Sequence, residues 1–231
     1  MLGTLTSVVT KEPLVALTFD DGPHPEFTPR VLEILRHHQA HATFFMVGAA
    51  AEKYQGIVRQ VAREGHAIGG HSWDHRSFPS LPSGERRRQM LACERVLSLQ
   101  QARLFRPPYG NQTVGSRLDA LWRRYEVVGW NVDSTDWQEE KPEAIADYVI
   151  GKLQPGAIVL LHDALFDQMN LPSDREPSKC VDRRTMLSAL ETILERGERQ
   201  YDFVTIPELL CHGVPFRDYW FQDGSSPPKK K

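Results

Sequence analysis

Seven short runs of apolar and β-branched residues recur along the chain: VALTF (15–19), ATFFMVG (42–48), HAIGG (66–70), RLFRP (103–107), YEVVGWNV (125–132), AIVLLH (157–162) and FVTI (203–206). Helical patterns lie between them. Thr28-Pro29 reads as an N-cap followed by proline at the first helical position, with Val31, Ile34 and Leu35 on one face. Tyr54, Ile57, Val58 and Val61 recur at helical spacing, and Gly65 closes that helix. Further stripes are Met90, Cys93 and Leu97; Leu118, Leu121 and Trp122; Ile145, Tyr148 and Val149 after an opening Pro142; and Leu187, Leu190 and Leu194, ended by Gly197. Strands that alternate with helices form parallel β/α units, which leaves a doubly wound sheet or a barrel.

A length of 231 residues suits one such unit, because an α/β barrel routinely fills about this length. We therefore expect one domain over residues 1–222 and a disordered tail over 223–231, which ends in SSPPKKK. A net charge of −2 gives no pull toward nucleic acid. No apolar run approaches the roughly 18 residues of a membrane span. The start MLGTLTSVVTKEP lacks a charged segment followed by a long apolar core, so no export signal is expected. Cys93, Cys180 and Cys211 are few and scattered, which predicts three free thiols rather than a disulfide framework or a cysteine-rich metal site.

Polar residues follow five of the runs. The first ends in Asp20-Asp21, the third enters HSWDH (71–75), and the fourth enters RPPYG (106–110). The fifth leads to Asp133 and then Asp136-Trp137, and the sixth ends in His162-Asp163. A parallel barrel assembles its active site from the C-terminal ends of several strands, whereas an open doubly wound sheet concentrates its ligand at a switch point. Five decorated ends favour the barrel. His71 and His75 are four residues apart, so a helical turn brings both rings to one side, in a pairing suited to zinc or a similar borderline metal. A metallopeptidase needs Glu after the first His, and position 72 is Ser. A carboxylate from another strand could complete the set; two solvated loop histidines are the plainer alternative. Arg106 reads equally as a surface residue on a stiff Pro-Pro turn. His162, taken alone where a buried strand emerges, reads more readily as a structural histidine.

Together TFDDGP, HSWDH, RPPYG, DSTDW and LLHD resemble, in order, the motifs of the polysaccharide deacetylases. These are carbohydrate esterases that include chitin, chitooligosaccharide and peptidoglycan N-deacetylases. The resemblance implies a distorted (β/α) barrel of about seven parallel strands. It also implies a metal-dependent hydrolase that removes N-acetyl groups from the N-acetylhexosamine residues of a chitin-like or peptidoglycan substrate. By the same resemblance, Asp21, His71 and His75 hold one divalent ion, zinc, and Ser72 supports them. Asp20 is the general base, oriented by Arg106. His162 is the general acid, supported by Asp133. The backbone N–H of Tyr109 stabilises the oxyanion, and Trp137 and Leu160 wall the acetyl pocket. The expected partner is an N-acetylated glycan, with no nucleic acid, no membrane span and a monomeric state; a cell-wall substrate would imply the envelope or exterior. Alternatives are an O-acetyl xylan esterase using the same site and a catalytically weak glycan-binding module. The polar segment 164–185 is long for a loop. It is expected to define sugar subsites at the active face, or else to be a surface insertion.

Overall fold

A computed structural model describes residues 3–97, 101–169 and 181–218. The tail expected over 223–231 lies outside the described residues, as does Cys180. The strands are β1 (Thr4–Val9), β2 (Leu14–Asp20), β3 (Ala42–Met46), β4 (Ala67–Gly70), β5 (Gln101–Phe105), β6 (Glu126–Val127), β7 (Val132–Asp133), β8 (Ile158–His162), β9 (Asp202–Phe203) and β10 (Val214–Asp218). The helices are α1 (Phe27–His37), α2 (Gly48–Lys53), α3 (Gln55–Arg63), α4 (Ser83–Leu97), α5 (Val114–Trp122), α6 (Pro142–Ile150), α7 (Phe166–Met169), α8 (Arg184–Gly197) and α9 (Ile206–Cys211).

Seven parallel strands run in the order β6-β5-β4-β3-β2-β8-β7 and curl into a half-barrel. The count equals the expected one, but its make-up differs. The fifth apolar run breaks into β6 and β7, which lie at opposite ends of the sheet. Residues 128–131 therefore span the opening. Val128 N–H donates to Phe105 O at 2.9 Å, and Asn131 N–H to Ile158 O at 3.1 Å. The seventh run contributes only β9, which pairs with β2 off the main path, before Thr205 caps α9. An antiparallel ribbon of β1 and β10, unannounced by the strand–helix pattern, closes the lower seam. Leu5 of β1 bridges Val128, and Val8 N–H donates to Gly156 O at 2.9 Å.

β2 shows how the period of two divides the core. Val15, Leu17 and Phe19 join the layer between sheet and helices, with Val31, Leu35, Leu190 and Leu194. Leu14 and Ala16 join the barrel interior with Leu5, Phe45, Leu104 and Ile158. Thr18 and Asp20 continue that inward series, so the alternation delivers Asp20 to the mouth of the barrel.

Two helix readings change. α1 starts at Phe27, and Pro29 sits inside its first turn, where a missing N–H costs nothing. Thr28 does not cap α1; its hydroxyl accepts from His24 N–H and donates to Asp163. On α5 the expected core stripe is turned outward: Leu118, Leu121 and Trp122 are 51%, 44% and 64% exposed. The helix instead docks through Ser116, Arg117, Asp119 and Ala120. Asp119 is buried and accepts hydrogen bonds from Ser83, Arg86 and Arg87 on α4. Polar contacts thus override the apolar stripe there. Cys93 is buried and Cys211 exposed, both as free thiols. Among the described residues no helix is long and apolar enough to cross a membrane.

These placements predict opposite stability effects on one helix. Asp119→Ala strands the buried Arg86 guanidinium and should cost about 3 kcal/mol. Leu118→Ala should change stability by less than about 0.5 kcal/mol, as exposed positions do. Urea denaturation of both variants checks this; a core-sized loss for Leu118→Ala would contradict the outward face of α5.

Candidate active site

β2 ends at Asp20, and the next residue turns sharply: Asp21 has φ 76°. The turn lets two consecutive carboxylates enter one site from different directions. Gly22 follows because the backbone passes against Asp163, so a Cβ there would sit 2.3 Å from Asp163 Oδ2. Asp163 is buried behind the site. Burial pushes its carboxyl up to about 7; the Thr28 hydrogen bond opposes this, and the charges of Asp21 and Asp20 add to the rise.

Asp20 Oδ1 accepts from Arg106 Nη1 at 2.7 Å. Arg106 is fully buried and also donates to Thr18 Oγ1 at 2.8 Å, Gly129 O at 2.7 Å and Val128 O at 3.3 Å. Its guanidinium lies over the Phe45 ring, 4.2 Å from the centroid. The surface-arginine alternative is thereby excluded.

Asp21 faces two imidazoles. Its Oδ1 lies 3.0 Å from His75 Nε2 and 3.4 Å from His71 Nε2, and all three residues are buried. Its Oδ2 accepts from Phe166 N–H at 2.9 Å. His71 Nδ1 is 2.7 Å from Arg106 O; a carbonyl only accepts, so Nδ1 carries the hydrogen. His75 Nδ1 is 2.9 Å from Asp167 Oδ2. Both rings thus direct Nε2 toward Asp21. No helical turn does this. Ser72 and His75 adopt positive φ, 67° and 62°, and the loop is held from outside. Ser72 Oγ accepts from His75 N–H at 3.0 Å, and Gln89 Oε1 on α4 accepts from Trp73 and Asp74 N–H at 2.9 and 3.1 Å. Burial opposes ionisation of Asp21, but His75 and His71 hold its carboxyl well below the usual range. Burial likewise opposes the His75 imidazolium, yet Asp21 and Asp167 push it up to about 10.

His162 stands beside Asp20 in register on the neighbouring strand β8. Its Nδ1 is 2.9 Å from Asp136 Oδ1, and its backbone N–H donates to Asp136 Oδ2 at 3.0 Å. The hydrogen-bonded partner is therefore Asp136, not the expected Asp133. The reason is local: Asp133 Oδ1 accepts from Thr135 N–H at 3.0 Å, and Thr135, at φ 56°, swings Asp136 under β8. Asp136 also accepts from Ser134 and from the buried Arg183, which donates to His162 O as well, at 3.1 Å. Burial works against the His162 imidazolium, but the Asp136 charge outweighs it and pushes the ring up to about 9.

Asp20, Asp21, His71, His75, Arg106, Tyr109 and His162 thus meet at one face, with Asp133 close behind. Tyr109 has φ 60°; its hydroxyl donates to Asp167 and its ring packs 4.7 Å from His75. Trp137 is 42% exposed, and Leu160 is buried on β8 beside Thr18. The described parts of segment 164–185 lie at this face through Phe166, Asp167 and Arg183, while residues 170–180 lie outside the described residues. Asp167, Arg183 and Gln89 carried no sequence signal, since each acts only through a neighbour distant along the chain. Asp136 had one, its place in DSTDW.

The profile of the family described as polysaccharide deacetylase matches residues 7–127. A peptidoglycan-N-acetylglucosamine deacetylase of Bacillus cereus is 34% identical over 88% of this chain and 91% of its own. A second B. cereus protein of the same name is 38% identical over 64% of this chain, and the match takes in only 55% of that relative. A chitooligosaccharide deacetylase of Azorhizobium caulinodans is 36% identical over 71% of this chain and 80% of its own. Among solved structures, a peptidoglycan N-acetylglucosamine deacetylase in complex with an N-oxidanyl-benzamide superposes with a TM-score of 0.78 and 31% identity, over 91% of this chain and 94% of that one. A CE4 family pseudoenzyme from Bacillus anthracis superposes with a TM-score of 0.77 and 27% identity, over 91% of this chain and 69% of that one. By the family profile and these relatives, this chain belongs to the polysaccharide deacetylase family of hydrolases.

Proposed function

We propose that this chain is a metal-dependent N-deacetylase acting on N-acetylhexosamine residues of a peptidoglycan- or chitin-like glycan. One observation carries the reading: two adjacent buried carboxylates have different partners, Asp20 a guanidinium and Asp21 two imidazole Nε2 atoms. A pseudoenzyme has the same fold, so the support comes from side chains rather than the barrel. The relatives named above suggest the substrate class.

Asp21, His71 and His75 fit a divalent cation. Each offers one donor atom, these atoms lie within 4.8 Å of one another, and all three residues are buried. Both rings spend Nδ1 on another partner, as metal-ligating histidines do. When bound, the ion supplies Lewis acidity, polarising the acetyl carbonyl and making water a nucleophile near neutral pH. We favour zinc for this nitrogen-rich donor set. Asp20 accepts the water's proton through Oδ2, since Oδ1 is occupied by Arg106. The Tyr109 N–H, on its stiff Pro-Pro turn, donates to the developing oxyanion. His162 holds a proton on Nε2, because Nδ1 faces Asp136, and gives it to the nitrogen as the amide C–N bond breaks. Leu160 and Trp137 flank the acetyl methyl group. Acetate and the free amine are the products. A histidine held protonated through neutral pH favours amide over ester cleavage, because an amine leaves only when protonated.

Three outcomes test this. Acetate release from N-acetylglucosamine oligomers should stop on chelation and return with added zinc; release from a sample shown metal-free by elemental analysis would refute the metal dependence. Asp20→Asn should keep the ion and lose roughly 10²-fold or more in turnover, the scale of general-base loss. Asp21→Asn should weaken the ion and regain part of its activity at high zinc. Reversed behaviour would exchange the two roles. The rate should also fall above about pH 9, where His162 loses its proton. Asp136→Asn removes the charge that stabilises the imidazolium, so this alkaline limb should move to lower pH. Asp133→Asn should move it less; the opposite ranking in pH–rate profiles would return the supporting role to Asp133.

A further inference from the structure

On the outer wall of the barrel, the end of α1 meets α8. The last residue of α1 is His37, and His38 follows as its C-cap. The His38 side chain is only 6% exposed although it lies at the periphery. Its Nδ1 is 2.7 Å from Glu198 Oε2. A carboxylate in that position retains the hydrogen on Nδ1 and leaves Nε2 with its lone pair in the neutral ring, as at many metal-ligating histidines. That Nε2 is buried and makes no hydrogen bond. It faces Glu191 Oε1 of α8 at 3.5 Å, beyond good hydrogen-bond length. The His37 ring stands edge-on to His38, with centroids 5.1 Å apart. One donor atom from each of His37, His38 and Glu191 lies within 4.8 Å of the other two.

We propose that His37, His38 and Glu191 form a second divalent-metal site, separate from the barrel mouth, which takes zinc or a similar borderline ion and staples α1 to α8. Two imidazoles and a carboxylate are a zinc donor set with a fourth position left for water. Zinc–ligand distances of about 2.0–2.2 Å bring tetrahedral donors to about 3.3–3.6 Å from one another. The His38–Glu191 pair is already at 3.5 Å, and the remaining donor spacings, at up to 4.8 Å, have to close by roughly 1 Å at most. The exposed His37 and the half-exposed Glu191 can do so by rotamer adjustment, while Glu198 holds His38 in place. The last carbonyls of α1 add a favourable potential for a cation. The competing occupant is a proton on Nε2: burial opposes the His38 imidazolium, but Glu198 and Glu191 outweigh it and raise its pKa. A proton uses only His38 and the glutamates, whereas a metal also uses His37, and this difference makes the two separable.

The test is zinc titration of the whole chain, read by elemental analysis after desalting, by thermal midpoint and by acetate release. Wild type should hold about two zinc ions per chain. His37→Ala and Glu191→Gln, both at accessible positions, should each lose one ion and keep deacetylase turnover. Glu198→Gln should weaken the second ion about 10- to 100-fold, the scale for such supporting partners. An Asp21→Asn/His75→Ala chain should still gain thermal stability with zinc, and adding His37→Ala should abolish that gain. Saturation of wild type at a single ion that His37→Ala does not remove would overturn the site. So would a second ion that persists in both His37→Ala and Glu191→Gln. Loss of an ion with His37→Ala but none with the Asp21→Asn/His75→Ala pair would support this site while counting against the metal centre at the barrel mouth.

Discussion

The buried guanidinium of Arg106 joins the closure of the barrel to its chemistry. The curled sheet does not close by strand pairing, because β6 and β7 end on opposite sides of a gap crossed by residues 128–131. The carbonyls of Val128 and Gly129 in that crossing accept from Arg106. The same side chain reaches Thr18 and Asp20 on β2, while its own carbonyl orients His71. A buried charge is tolerated when it is paired and fully hydrogen-bonded, and removing one partner leaves the other stranded at a cost of about 3–5 kcal/mol. The seam and the carboxylate geometry therefore stand or fall together.

Around that centre the titratable groups form two sets with different tasks. Asp21, His71 and His75 gather negative charge and lone pairs at one point, with Asp167 and Ser72 holding the loop that carries the rings. His162, Asp136 and Arg183 form a line in which the carboxylate stabilises an imidazolium and the arginine steadies the carboxylate. The register between β2 and β8 sets Asp20 beside His162, so the proposed base and acid come from neighbouring strands at one level of the barrel.

Much of this was legible in the chain. The buried strands β2, β3 and β8 are short apolar runs, and α3, α4 and α8 carry stripes whose apolar faces are buried. The motif residues Asp20, Asp21, His71, His75, Arg106 and His162 sit at or just beyond strand ends, where a change from apolar to polar marks them. Less legible were elements whose stability is borrowed. β1 and β10 alternate weakly and exist by pairing with each other across the length of the chain. α5 has an apolar stripe that faces outward because Asp119 and three α4 side chains fix its rotation.

What the sequence determined by itself is local and periodic: which residues extend, which coil, and which polar groups stand where a strand emerges. It also determined that two acids precede a turn, because Gly22 and Pro23 interrupt β2. What only the tertiary structure decided is pairing. Asp133 and Asp136 are three residues apart in one motif, and no local rule says which meets His162. The left-handed turn at Thr135 and the approach of Arg183 from another segment choose Asp136. In the same way His71 and His75 share a site through Ser72, Gln89 and positive φ angles rather than through a helix. Periodicity is a property of neighbours along the chain, whereas a hydrogen bond between distant segments depends on how the whole sheet curls, and that is settled only when the core packs.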